Sequence, residues 1–493
     1  MGVAMDLQWS DTGLLGRFDG YVDELAGHLG HKDREQPFRH YCAGLLLPGG
    51  RKSVEPMAAR LAPGTVSAEH QSLLHFVGQS RWSSEALVSA VRSSVVPALT
   101  ARGPVEGWIV DDTSFPKQGR HSVGVARQYS GQLGKQDNCQ VAVSLSLTSA
   151  EASLPVVWRL YLPQGWAEDA ARRKTAKVPK EMAFRTKPQI ALDEIGALAA
   201  DPAVPRGVVL TDAGYGNDTS FRLGLEDLGL SYVVGILSTT SFWAPGTGPV
   251  SPEAKPESTP RPGGPAKRLR RPAGQRPVSA KALAESLAAE AWHEVAWREG
   301  ATAEPLRSRF AGVRVRPAHR DRRRSEPWPE QWLMIEWPEG EPEPTKYWLA
   351  NLPAQTSLVR LVYLAKLRWL IERDYRELKQ ELGLGHYEGR GWPGFHHHAE
   401  LAIAAYGFLL KERQAIPPSA PQKRPLLEKP ALPDGFRPRG SPDPTAASPA
   451  RLHRHAPSND RRRPGTKAPT MSLLPPENTE ATRSTGHFMT QSN

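Results

Sequence analysis

Residues 107–115, GWIVDDTSF, hold a short apolar run that stops at two aspartates. A run of this length, bounded by glycine on one side and polar residues on the other, predicts a buried strand. Side chains alternate along a strand, so Asp111 and Asp112 point to opposite faces and only one of them can join a given site. The segments that follow, NCQVAVSLSLTS (138–149) and SLPVVWRLYLP (153–163), have the same character, and their short connections predict an antiparallel meander. Then come a helical stretch, KPQIALDEIGALAA (187–200), a buried-type strand in RGVVLTDAGYGND (206–218), a helix in FRLGLEDLGL (221–230) and a last strand, SYVVGI (231–236). The order βββ-α-β-α-β is that of an RNase H-like mixed sheet core, so the fold class is α/β.

On the N-terminal side the period changes. FDGYVDELAGHL, SAEHQSLLHFVGQS and SSEALVSAVRSSVVPAL place apolar residues every three or four positions, with Ser near the helix starts, and predict a helical domain over 1–104. Within it RHYCAGLLLPGGRKSVEPMAARL (39–61) offers basic residues to a polyanion or to solvent. The first part of the core then spans 105–237. An insertion is expected over 238–345, with a Pro-, Gly- and Arg-rich loop at 244–277 followed by β-type runs, FAGVRVRPA and QWLMIEWP. The core resumes over 346–413 and closes on an apolar helix, AELAIAAYGFLLKER; a basic, Pro/Ser/Arg-rich tail, expected to be disordered, occupies 414–493.

The chain has 493 residues, enough for more than one core, and 63 Lys and Arg against 52 Asp and Glu, a net charge of +11. That excess favours a polyanionic partner, because phosphates release counterions when basic groups neutralise them. Two cysteines, Cys42 and Cys139, make neither a disulfide framework nor a zinc site. No signal-type N-terminus and no apolar run long enough to span a bilayer occur, so a cytoplasmic protein is expected.

Asp212 ends its strand as the aspartate pair ends the first one, and carboxylates at the carboxyl ends of neighbouring strands converge where open α/β sheets place their ligands. Converging carboxylates repel one another unless a divalent cation lies between them, and Mg²⁺ or Mn²⁺ prefers oxygen ligands. The bland reading of each strand-end Asp is a turn or helix cap. A third acidic group comes from RWLIERDYRELKQELGLGHYEGRGW (368–392). At about 100° per residue, Arg368, Glu372, Tyr375 and Lys379 share a stripe roughly 60° wide beside an apolar stripe that includes Leu364, Leu367, Ile371 and Leu378. Asp374, Glu377 and Glu381 are expected on the solvated side, and Glu388 beyond the helix. Of these carboxylates, Glu372 alone has basic groups on its own face.

At this point the sequence resembles the DDE transposases of bacterial insertion sequences. That family's helix signature is Tyr, two residues, Arg, three residues, Glu, six residues, Lys; Arg368, Glu372 and Lys379 match it, while Ala365 stands at the Tyr position. The resemblance extends over about 105–412 and includes HSVGVARQYSGQLGKQDNCQ (121–140). It implies a catalytic and metal-binding triad of Asp112, next to its Thr, with Asp212 and Glu372. It further implies two Mg²⁺ ions, replaceable by Mn²⁺, that serve strand cleavage and attack by the freed 3′-OH. Arg368 and Lys379 would hold phosphates, with Lys117, Arg120 and Arg127 as weaker candidates, and Trp297 and Arg298 would contact DNA or pack in the core. The partners would be the element's terminal inverted repeats and target DNA, handled by a homodimer. A nuclease that cuts without joining and a domesticated DNA-binding regulator are the other readings. His396, His397 and His398 cannot share one face of a helix or strand, which argues against a metal site.

Overall fold

The computed structural model describes residues 12–251, 268–299 and 305–416; the tail beyond 416 and much of the expected 244–277 loop lie outside the described residues. The chain opens with five helices: α1 (Thr12–Ala26), α2 (Glu35–Leu46), α3 (Val54–Leu61), α4 (Val66–Gly78) and α5 (Ser84–Thr100). Ser83 caps α5 by accepting a hydrogen bond from the Ala86 N–H. Four strands follow: β1 (Gly107–Pro116), β2 (Ala126–Ser130), β3 (Lys135–Thr148) and β4 (Ser153–Leu160). Two short helices, α6 (Gln164–Ala167) and α7 (Ala170–Thr175), lead to α8 (Lys187–Ala199), whose start is fixed by a capping box between Thr186 and Gln189. Then come β5 (Val208–Thr211), α9 (Ala213–Gly216), α10 (Thr219–Asp227) and β6 (Tyr232–Ile236).

In space the core strands lie in the order β4-β3-β1-β5-β6, with the first three antiparallel and β1, β5 and β6 parallel. This is the RNase H-like arrangement that the element order predicted. The added β2 pairs with the first residues of β3, on the edge whose other end holds β4.

The segment after β6 contributes β7 (Ser241–Trp243), β8 (Val278–Ser279), α11 (Ala280–Glu285), β9 (His293–Glu299), β10 (Pro305–Pro317) and β11 (Gln331–Trp337). The next strand, β12 (Lys346–Ala350), pairs antiparallel with both β11 and β6, so these strands continue the core sheet. Three helices close the described chain: α12 (Leu358–Leu367), α13 (Trp369–Arg376) and α14 (Trp392–Ala415).

The sheet has an apolar layer on each face. Ile109, Leu210 and Val233 meet Leu361, Leu364, Leu367, Leu370 and Ile371 of α12 and α13 on one side. Trp108, Val110, Val209 and Val234 belong to the other, larger core, which also takes in the N-terminal helices and α14. A helix that is apolar all round must be buried all round, and α14 is from Gly394 to Phe408. Phe408 meets Phe18 edge-on at 5.3 Å, and the Tyr21 hydroxyl donates to the Ala404 carbonyl at 2.9 Å. The three histidines at its start point in three directions. His396 accepts from the Leu160 N–H, His397 stacks on Trp82 at 3.8 Å, and His398 takes a hydrogen bond from Tyr41. Burial pushes them down to about 3, 4 and 4 respectively, so they are neutral core residues.

Candidate active site

The two parallel strands at the sheet centre fix where the aspartates stand. In the β1–β5 ladder Gly107 lies opposite Val208, Trp108 opposite Val209 and Ile109 opposite Leu210. Continued for two residues, that register brings Asp111 level with Asp212. Alternation then assigns the faces: Asp111 continues the side of Ile109, and Asp212 the side of Leu210, both covered by α12 and α13. Asp112 continues the side of Trp108 and Val110, toward the opposite core. Of the adjacent pair, therefore, the structure brings Asp111, and not Asp112, to the face that carries Asp212 and the Glu372 helix. Asp112 is engaged elsewhere: the Lys187 amine, in the first turn of α8, donates to its Oδ2 at 2.5 Å.

Two further contacts define the cluster. Arg368 Nη1 donates to Asp111 Oδ2 at 2.7 Å, and the Asp112 N–H donates to Asp111 Oδ1 at 2.8 Å. Burial pushes the Asp111 carboxyl up to about 6; Arg368 opposes that shift and the Asp212 charge adds to it. Asp212 uses one oxygen to cap α9, accepting from the Gly214 N–H at 2.9 Å. The capping reading is thus correct for half of the carboxylate, and Oδ2 has no hydrogen-bond partner among the described residues. Its position is set by close backbone approach. A Cβ on Gly216 would stand 2.0 Å from the Gly235 carbonyl oxygen, so only glycine lets α9 lie flat on β6.

The helix above the cluster is not the single one that periodicity predicts. α12 ends at Leu367, Arg368 forms the joint, α13 ends at Arg376, and a π-helical turn occupies Glu377–Glu381. Arg368, Tyr375 and Lys379 nevertheless all point to the sheet: Arg368 to Asp111, the Tyr375 hydroxyl to Ser144 Oγ at 2.7 Å, and the Lys379 amine to the Ser114 carbonyl at 2.9 Å. Ser144 stands opposite Asp111 in the β1–β3 ladder. Glu372, exposed and without a hydrogen-bond or ion-pair partner among the described residues, lies between Arg368 and Tyr375 on that stripe. Burial lowers Lys379 to about 8.

Asp374 differs from its expectation. It is fully buried, accepting hydrogen bonds from the Ser153 and Tyr406 hydroxyls, the latter at 2.8 Å, and burial raises it to about 6. The far side of α13 packs against β4 and α14 instead of facing water, which the sequence pattern around Asp374 does not reveal. Glu377 pairs with Arg413 at 2.7 Å, and Glu381 is exposed as expected.

The remaining candidates lie apart from this cluster. Lys117 is held by the Tyr387 carbonyl at 2.7 Å, and Arg120 and Arg127 are exposed. Trp297 packs against the core layer under α12, and Arg298 lies over the Trp369 ring at 4.3 Å, so both are taken up by packing. Three residues that sequence reasoning missed stand here too: Lys187, Ser144 and Tyr215. The Tyr215 hydroxyl is buried without a hydrogen-bond partner among the described residues, within electrostatic reach of Asp112, Asp111, Tyr375 and Asp212. The only local hint was Thr186-Lys-Pro-Gln, which marks a helix start and hence a Lys in a first turn.

Oxygen donors that repel one another when ionised suit a hard divalent cation. Among the described residues no three His, Cys, Asp or Glu side chains already stand together as a metal site. Among the described residues, no helix is long and apolar enough to cross a membrane.

Residues 24–304 match the family described as DDE superfamily endonuclease. A curated relative, the probable transposase for insertion sequence element IS701 of Microchaete diplosiphon, is 31% identical over 169 residues, covering 34% of this chain. The match spans 41% of the relative's length.

Proposed function

Because the chain belongs to the DDE superfamily endonucleases, we propose that it is a transposase that cuts DNA at the terminal repeats of an insertion sequence and joins the freed end to target DNA. The observation that supports this most is that Asp111 and Asp212 stand level on one face of the parallel β1–β5 pair, under a helix whose Arg368 reaches Asp111 and whose Lys379 reaches the Ser114 carbonyl.

In this reading Asp111, Asp212 and Glu372 hold the divalent cations, Mg²⁺ or Mn²⁺, that the superfamily generally uses. When bound, such ions supply charge stabilisation at the scissile phosphate and an activated water or 3′-OH. The chain's own residues do the rest. Asp212 is fixed by its cap on α9, and Asp111 by the Asp112 N–H. Glu372 has no partner among the described residues to release before it could turn inward. Arg368 is the group whose charge is exchangeable: it neutralises Asp111 here, and with Asp111 engaged by a bound cation it would be free to serve a phosphate oxygen. Lys379, with Arg120, Arg127 and Lys117 farther out, would track the DNA backbone. Two ends must be handled together, so a homodimer on DNA belongs to the proposal.

The test is incubation of purified protein with Mg²⁺ or Mn²⁺ and duplexes that end in the element's terminal repeats. Nicked and joined products are expected. Glu372→Ala and Asp111→Asn should still bind the duplex and give neither product, whereas Asp112→Asn should retain cleavage. Loss of cleavage in Asp112→Asn with retention in Asp111→Asn would overturn the face assignment. Nicking without joining would leave a nuclease, and no reaction at all would remove the proposal.

A further inference from the structure

The described part of the segment between β6 and β12 carries a second concentration of positive charge that the carboxylate site does not use. A 3₁₀ turn, Asp321–Arg323, sits within AHRDRRRSEP (318–327), and a neighbouring stretch, RLRRPAGQR (268–276), runs beside it. The two are tied together. The Leu269 N–H donates to the Arg324 carbonyl at 2.8 Å. The Asp321 carboxylate, 2% exposed, accepts from Trp243 Nε1 at 3.1 Å, from Arg271 Nη2 at 3.2 Å and from its own neighbour's N–H, Arg322, at 2.7 Å. Arg324 lies flat over Trp328 at 3.6 Å.

This arrangement spends Asp321, Arg271 and Arg324 on the framework and turns the other arginines out. Arg268, Arg270, Arg276, Arg320, Arg322 and Arg323 are exposed. None of their guanidinium groups has an ion pair or hydrogen-bond partner among the described residues. Glu326 is an exposed carboxylate close by in sequence, and it pairs with none of them. Arg320 is moreover held at φ 50°, a left-handed conformation that costs a non-glycine residue energy. Like charges crowded on a rigid turn raise the energy of the free protein, and a polyanion relieves it.

A cleft of about 530 Å³ adjoins the patch. Its lining includes Arg271, Arg276 and His319 together with Asn217, Thr239 and Thr240. Asn217 caps the C-terminus of α9 as Asp212 caps its N-terminus, so the cleft begins at the far end of that single turn from Asp212.

We infer that the turn at Arg320–Arg323, with Arg268, Arg270 and Arg276, is a second docking surface for duplex DNA, which grips the phosphates of the stretch flanking the reacting strand without reading bases. Exposed guanidinium groups with no partner among the described residues, one of which, Arg276, lines the hydroxyl- and amide-bearing cleft, fit phosphate oxygens, and Asp321 fixes the turn that carries Arg320, Arg322 and Arg323. The inference rests on the proposal that this protein handles DNA, yet its readout is separate from cleavage.

The measurement is the salt dependence of affinity for an arbitrary duplex, made with full-length protein in the Glu372→Ala background so that no cutting occurs. Each phosphate contact contributes about 0.9 to the slope of log K against log salt, so Arg320→Ala/Arg322→Ala/Arg323→Ala should lower that slope by about 2–3. The matching triple Lys variant should keep most of it. Arg322→Glu alone, one exposed change that leaves Asp321 untouched, should move the slope in the same direction and guards against a triple variant that fails to fold. An unchanged slope overturns the inference. So does a loss seen only on terminal-repeat DNA, which would mean base readout, or tighter binding of single strands than of duplex. Failure of cleavage with a normal slope change would sink the transposase reading and leave this surface standing.

Discussion

Asp111 and Asp112 are chemically identical neighbours, and the protein separates them by nothing more than strand parity. Asp111 meets Arg368 and Asp212, and Asp112 meets Lys187. The sequence shows that only one can serve a site, but not which one, because β1 is apolar on both faces and parity has no reference until α13 is placed on one of them. Resemblance pointed to the aspartate next to Thr113, and the long-range register points to its neighbour. Tyr215 was equally silent in the sequence, since an unpaired hydroxyl is a property of surroundings. Removing a buried donor that has no partner should help the fold: Tyr215→Phe is expected to raise stability by about 1–2 kcal/mol, seen as a higher midpoint in thermal unfolding. A fall in the midpoint would mean that the hydroxyl has a partner in solution.

Helices and turns hold these residues at workable angles. The expected amphipathic helix was legible in its apolar stripe, and Arg368, Tyr375 and Lys379 do share a direction; its joint at Arg368 and its π-helical end were not, since no Pro or Gly announces them. Asp374 was misread for a related reason: charge pattern identifies a solvated face only when the helix has a free side, and α13 has sheet on one flank and α14 near the other. The α9 turn gives a sharper case. Gly216 and Gly235 cross with no room for a methyl group, and the obstacle is a backbone carbonyl that no rotamer change can move. Gly216→Ala should cost about 1–3 kcal/mol in chemical denaturation and, by lifting α9, should displace Asp212 enough to abolish cleavage at temperatures where the protein is still folded. A variant with unaltered stability would show that α9 is free to shift.

Across the molecule, α14 carries buried groups that titrate differently in the folded and unfolded chain. Glu400 is buried with one oxygen unpaired, and burial raises it to about 8, against 4.5 for an ordinary glutamate. The folded protein thus binds that proton more tightly than the unfolded chain does. The resulting stability is fully present below about pH 4.5 and is lost as pH rises through 8, at up to about 1.4 kcal/mol per pH unit. The buried histidines act in the opposite direction, because their folded values are depressed: their contribution is present above about pH 6.5 and fades as pH falls toward 4. Glu400→Gln should therefore flatten the alkaline side alone, with the largest gain near pH 8 in urea unfolding at pH 5, 6.5 and 8. An unchanged alkaline slope would place the titration elsewhere. The β-strand and helix order of the core was readable because its elements are short and contiguous, whereas the joining of β12 to β6 was not, since pairing across 100 or so residues leaves no local mark. That joint bears on how the protein behaves outside the test tube's ideal. With 241–344 excised and a short linker in place, the strand left at the sheet's margin would be KYWLA, flat, aromatic and without a neighbour to cover its amides. Such a trimmed protein should pellet on centrifugation rather than survive as a smaller soluble fold, and a trimmed protein that stays in the supernatant would show that β12 needs no cover.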